Sequence, residues 1–140
     1  MAEDDVLFVE VVAADRRVWE GEALSVIART VEGDIGILPN HEPVLALLVP
    51  SAAEILTKDG RREVIAVDGG FISVAENRVA VLSQYGRLAH EILTDEAERE
   101  RREAWKRMND GDNSEATRQH FNRAHAQLAA AKKAQEAQVS

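Results

Sequence analysis

Residues 78–108 read RVAVLSQYGRLAHEILTDEAERERREAWKRM, and the period of the sequence changes partway along them. Arg78 to Ser83 is a short, largely apolar run with Val79 and Val81 two apart on one face, as in a strand. After Leu93 the alternation stops, and Ala, Glu, Arg, Lys and Gln, all good helix formers, dominate to the end. A side-chain period that switches from two to 3.6 at one point marks two differently built parts. Residues 1–90 are expected to form a strand-built domain and residues 91–140 a helical one.

Upstream of the switch, short β-branched runs are cut by turn residues every eight to twelve positions, the pattern of an all-β sandwich. Strands are predicted at Val6 to Val12, Ala23 to Thr30, Ile35 to Leu38, Leu45 to Val49, Ala53 to Thr57, Glu63 to Val67, Phe71 to Ala75 and Arg78 to Ser83. In the first, Leu7, Val9 and Val11 face a core while Glu10 points away. Lys58-Asp59-Gly60 and Glu76-Asn77 supply hairpin turns, because Gly and Asn accept positive φ at little cost.

Downstream, Thr94 is placed to cap a first helix whose opening turn holds Asp95, Glu96 and Glu98 at the positive end of the helix dipole. Asp95/Arg99, Glu98/Arg102 and Glu103/Arg107 have i,i+4 spacing, and Ala97, Ala104, Trp105 and Met108 form the helix's apolar stripe. Asn109-Asp110-Gly111-Asp112-Asn113 breaks it and starts a second helix. There Phe121, Ala124, Leu128 and Ala131 give one narrow seam, mostly alanine. A hairpin held by such a seam docks weakly: burying Phe121 or Leu128 contributes about 1.5–3 kcal/mol, while ordering each residue's backbone costs about 1–2 kcal/mol. The predicted fold is therefore mainly β plus α: an N-terminal flattened antiparallel β-sandwich followed by a C-terminal two-helix hairpin.

Composition narrows the function. The 140 residues are 45% hydrophobic, 30% charged and 4% aromatic, so aliphatic side chains must build the core. There is no cysteine, which excludes disulfides and thiolate metal sites. Residues 1–92 carry 16 acids and 8 bases, a net of −8, whereas residues 93–140 carry 9 of each. Nucleic acid is not an expected partner of so acidic a domain. Glu3, Asp4 and Asp5 do not make the basic start of an export signal, and Val44 to Val49 is far short of the roughly 20 residues a membrane helix needs.

Intrinsic catalysis has little to use. No Ser-His-Asp order, phosphate loop or metal signature is present at the required spacing. His120 and His125 lie about 140° apart around a helix and would not share a face. Asp110, Asp112 and Ser114 mimic the start of a calcium loop, but the sixth position is Glu115 instead of Gly and the twelfth is Phe121 instead of Glu. His41 follows Pro39-Asn40 without a second polar partner nearby and reads as a turn residue. The stretch Gly33-Asp34-Ile35-Gly36-Ile37-Leu38-Pro39-Asn40-His41-Glu42-Pro43 is the most informative. Its two glycines and two prolines fix a loop that is, on pattern alone, as well explained by structure as by contact.

That stretch resembles the epsilon subunit family of F-type ATP synthases. So does Ile65-Ala66-Val67-Asp68-Gly69-Gly70-Phe71-Ile72-Ser73-Val74, followed by Asn77-Arg78-Val79-Ala80-Val81-Leu82, with Val11-Val12-Ala13 and Trp19-Glu20-Gly21 upstream. The resemblance covers roughly residues 6–92. It implies a non-catalytic rotor subunit of the central stalk, peripheral to the cytoplasmic face of the inner membrane and held there only through the complex. The sandwich would bind the gamma subunit, toward which His41 lies, and would meet the c-ring through Glu32 and Asp34. The hairpin would approach the catalytic β subunits and inhibit ATP hydrolysis through Arg99, Arg101, Arg102, Lys106, Arg107, Arg118 and Arg123, while the complex couples proton translocation to ATP synthesis. Some members bind regulatory ATP through an apolar-Asp-x-x-Arg-Ala signature. Here, reading from Ile92, Leu93 stands for the Asp and Glu96 for the Arg, so ATP binding is expected to be weak or absent, although Arg123-Ala124 resembles part of that pocket. The competing readings are a free-standing β-sandwich ligand-binding module with a helical tail, for which exposed aromatics are few, and a coiled-coil adaptor, for which sustained heptads are missing.

Overall fold

The computed structural model describes residues 5–139, apart from the side chains of 138 and 139; Glu3 and Asp4 of the acidic start lie outside them. Nine strands come first: β1 (Leu7–Val12), β2 (Arg17–Thr30), β3 (Gly33–Ile37), β4 (Val44–Leu47), β5 (Ser51–Thr57), β6 (Arg62–Val67), β7 (Phe71–Ala75), β8 (Arg78–Leu82) and β9 (Gly86–Leu88). A 3-10 turn, Ala89–Glu91, leads to helices α1 (Thr94–Asn109) and α2 (Glu115–Val139). Along the sheet the strands run β4-β7-β8-β1-β2-β5-β6-β9, with β3 paired to β2. Every pairing is antiparallel except β1 with β8, which is parallel.

Leu7, Val9 and Val11 of β1 are buried as their alternation requires, and they share one core with Val26, Ile37, Ile55, Ile65, Ile72, Val74, Val79 and Val81. Those side chains come from both ends of the strand order, so the sheet must fold over on itself about β1 and β2, enclosing a sandwich. Glu10 points outward and pairs with Arg17 at 2.8 Å. The Glu76-Asn77 turn takes φ of 51° and 63°, both positive as a type I′ hairpin turn requires.

Several expectations need correction. The second strand begins at Arg17 rather than Ala23, because Arg17 to Ala23 complete the ladder to β1 despite their charges and Gly21. The short β9, not expected from the sequence, pairs with β6 through Ile65, Ala66 and Val67. Thr94 does not cap α1: Leu93 occupies the cap in an extended conformation with no side-chain bond, and its carbonyl accepts from the Ala97 N–H at 3.0 Å. The three i,i+4 pairs on α1 do not close as ion pairs in the structure.

The largest correction concerns α2, which has two apolar stripes instead of one. Phe121 meets Trp105 of α1, ring centroids 6.0 Å apart, so the expected seam faces the other helix. Ala126 and Ala130 are fully buried, and lie about 200° around the helix from Ala124 and Leu128 respectively. They pack on Val64 and Ala66 of β6, with Ala52, Tyr85, Ala89, Ile92 and Ala134 around them. The hairpin lies against the outer face of β5 and β6, and β6 is buried on both faces from Val64 to Val67.

Candidate functional site

Two surfaces carry the residues singled out in the sequence. The first is the β2–β3 hairpin and the strands beside it. Gly33, at φ +116°, closes the turn after Glu32, and the Thr30 hydroxyl donates to the Gly33 carbonyl at 2.8 Å while accepting from the Glu32 N–H at 3.1 Å. Glu32 is thus presented on a fixed turn, exposed. Asp34 is also exposed, but it stands opposite Arg29 in the ladder and accepts from its guanidinium at 2.8 and 3.3 Å. Much of the Asp34 charge is offset within the chain.

His41 is not beside them. It lies on the loop after β3, roughly 17 Å along a five-residue strand from the Glu32 turn. That loop is tied down by Asn40, whose side chain donates to Asp5 at 2.7 Å and whose carboxamide oxygen accepts from Asn77 at 3.3 Å. His41 Nδ1 sits 2.7 Å from the Glu42 carbonyl oxygen, which can only accept, so this contact requires the proton on Nδ1.

Sequence reasoning missed the apolar patch on the adjoining sheet face. In β4 the smaller Val44 and Ala46 turn partly inward, whereas Leu45 and Leu47 are 71% and 61% exposed. Leu47 pairs with Phe71 and Phe71 with Leu82, setting three exposed apolar side chains in one row. With Leu45 two residues along on the same face, and Val31 beside Leu47 through a 3.0 Å backbone bond, the patch reaches the Glu32 turn. The available signal was the size order within Val44-Leu45-Ala46-Leu47, large out and small in, the reverse of a free-standing sheet.

The second surface is the hairpin. Arg99, Arg102, Lys106, Arg107 and Arg118 are exposed and Arg101 partly so, and none makes an ion pair among the described residues. Arg123 differs. Its Nε donates to Asp68 at 2.9 Å, and the Asp68 side chain is only 7% exposed. Asp68 also accepts from the Ser83 hydroxyl at 2.9 Å. The Arg123 guanidinium lies 5.3 Å from the Tyr85 ring centroid, and Gln127 donates to the Tyr85 hydroxyl. Further along α2, Lys133 reaches Glu54 at 3.4 Å, the same distance at which Arg62 of β6 meets that carboxylate.

The other candidates resolve locally. Asp112 accepts from the Ser114 N–H at 2.9 Å and from the Thr117 hydroxyl at 2.7 Å, opening α2 as a cap; these bonds hold its carboxyl at about 2, below the ordinary 3.8. His120 faces Glu100 at 3.6 Å while His125 stacks on Phe121, so the two imidazoles have different neighbours. No helix among the described residues is long and apolar enough to cross a membrane.

The chain is a strand sandwich with an exposed apolar patch, carrying a helical hairpin with exposed cations. The family described as ATP synthase, Delta/Epsilon chain, beta-sandwich domain, matches residues 6–86. The ATP synthase epsilon chain of Cutibacterium acnes is 50% identical over 110 residues, covering 78% of this chain and 75% of that one. That of Streptomyces avermitilis is 52% identical over 94 residues, 67% of this chain and 76% of the relative. A chain in the Euglena gracilis mitochondrial ATP synthase assembly of OSCP, F1 and c-ring superposes with a TM-score of 0.72 at 21% identity, covering 94% of this chain and 82% of that one, and so shares the fold. The chain belongs to the epsilon family of bacterial F-type ATP synthases, whose members are non-catalytic subunits of the complex.

Proposed function

We propose that the sandwich docks this chain into the central stalk, against the gamma subunit and the c-ring, and that the hairpin is a conditional brake on ATP hydrolysis. The observation that carries this reading is the contrast between the two parts. The sandwich has a closed aliphatic core of its own, whereas the hairpin rests on the sheet through alanines and a few polar contacts. A two-state element needs a small energy gap, and an interface built from methyl groups keeps it small.

In this reading the patch of Leu45, Leu47, Phe71 and Leu82 joins the docking surface, because an exposed apolar patch running inward from the edge strand β4 calls for a cover. Glu32 offers the uncompensated carboxylate to the ring. Asp34, paired to Arg29, contributes less than its charge suggests, since an exposed pair is worth about 0–1 kcal/mol. His41, on a separate loop, is assigned to gamma. The exposed Arg99, Arg102, Lys106, Arg107 and Arg118, with Arg101, face the catalytic β subunits when the hairpin extends; Arg123 joins them only after leaving Asp68. Membrane association, on the cytoplasmic face, is through the complex. Regulatory ATP binding is weak or absent in this reading, because Glu96 stands where the signature needs a cation; millimolar ATP in isothermal titration should give no saturable heat, and saturable binding below that range would count against it.

The test adds the full chain, and a version ending at Leu93, to a catalytic head lacking this subunit. Both bind and only the full chain slows hydrolysis if the reading holds. Equal inhibition removes the brake, and failure of either version to bind removes the docking assignment.

A further inference from the structure

Asp68 lies on the link between β6 and β7, within a stretch no functional role has yet absorbed. Gly69 and Gly70 follow it at φ of +126° and +93°, and a Cβ at Gly70 would stand 1.9 Å from the Leu82 carbonyl oxygen. This tight link sets the carboxylate beside the Ser83 hydroxyl, 7% exposed, and aimed at α2. A buried charge needs compensation, and Arg123 supplies it from the other part of the molecule, across 55 positions of sequence. The guanidinium is also stacked over Tyr85, whose hydroxyl is held by Gln127 one turn further along α2. If the hairpin leaves, Asp68 keeps only the Ser83 bond. Among the described residues the other ion pair between α2 and the sheet, Lys133 with Glu54, loses less, because Glu54 retains Arg62.

We infer that Asp68 is an electrostatic latch: it holds Arg123 and thereby the folded-down hairpin, so that the docked state and the braking state compete for one guanidinium. The alanine stripe sets where α2 sits, and the latch supplies much of the bias toward that position. The latch itself is a property of the isolated chain; its consequence for hydrolysis rests on the brake reading above.

The experiment measures amide hydrogen exchange on the full chain for Asp68→Asn, Arg123→Gln and the double variant. Asp68→Asn keeps the shape and the acceptor for Ser83 while removing the charge. Losing a charge-assisted hydrogen bond should speed exchange across residues 119–133 by roughly ten- to a hundred-fold, with amides of β1 and β2 unmoved. The double variant should exceed neither single by more than about two-fold, since both remove the same contact. Lys133→Gln should change exchange by less than about five-fold. Unchanged exchange in Arg123→Gln, a partly exposed position on α2 outside the sandwich core, overturns the latch even if Asp68→Asn disturbs the sheet. Additive effects in the double variant overturn it too. With the catalytic head, Asp68→Asn should inhibit at lower concentration than the unaltered chain. If no chain slows hydrolysis, the brake reading falls while the exchange result still decides the latch.

Discussion

Replacing Ala130 by Leu should release the hairpin without harming the sandwich. Ala130 is fully buried, and its methyl group sets the approach of α2 to Val64 and Ala66 of β6. Leucine adds three carbons at a contact with no room for them, and overpacking of this kind costs about 1–3 kcal/mol. The cost falls on the docked state alone, because a released helix carries leucine in solvent without strain. At 1.4 kcal/mol per factor of ten, the ratio of docked to released hairpin falls by about five- to a hundred-fold. Site-resolved amide exchange reads this as faster exchange in α2, while the amides of Val9, Val26 and Ile55 keep their protection. Ala116→Leu, at an exposed position of the same helix, is the control and should change nothing. The reasoning is refuted if α2 exchanges as slowly as before. It is refuted equally if the strand amides lose protection by the same factor, since hairpin and sandwich would then unfold as one unit.

Two further outcomes are expected. Asp112 titrates at about 2 instead of 3.8 because Thr117 and Ser114 bond its ionised form, so it stabilises the start of α2 above pH 4, and that contribution is lost as the pH falls toward 2; far-UV dichroism followed from pH 5 to 1.5 should show an acid-induced loss of helix that Asp112→Ala, already lacking the cap, does not share over that window. Gly70→Ala, which drives a Cβ into the Leu82 carbonyl at a positive φ, should destabilise the sandwich by more than about 3 kcal/mol in chemical denaturation, whereas Gly33→Ala, with open space around it, should lose only the cost of its own φ, about 1–2 kcal/mol.

The core was legible because its rule is simple: Leu7, Val9 and Val11 alternate, and alternate residues of a half-buried strand share a face. The break at Gly111 was equally plain, since a residue at φ +99° favours glycine. What escaped was long-range. Arg17–Glu22 reads as a charged connection until the pairing with β1 is known, and β9 has three residues only because β6 offers an edge. The docking face of the hairpin had a signal that went unread: Val64-Ile65-Ala66-Val67 is unbroken apolar sequence where neighbouring strands alternate, which is how a strand covered on both faces looks. Of the site, Glu32 is exposed on the β2–β3 turn, a residue that entered through the family resemblance and not through any local pattern. The pairing of Asp34 with Arg29 depends on ladder register, and that of Asp68 with Arg123 on helix docking, neither of which a linear pattern encodes.

Pinning the hairpin down tests whether movement is what brakes. The sequence has no cysteine, so cysteines placed at Glu54 and Lys133, whose side-chain ends lie 3.4 Å apart, can be bridged by a short bifunctional thiosulfonate reagent, each thiolate displacing a sulfinate to form a disulfide that a reductant later cleaves, without competing thiols in the chain. Added to a catalytic head lacking this subunit, the bridged chain should bind as well as the unbridged one and leave ATP hydrolysis at its uninhibited rate, with inhibition returning once the bridge is cleaved. Inhibition by the bridged chain equal to that of the cleaved chain would contradict the account, for the brake would then act from the docked position.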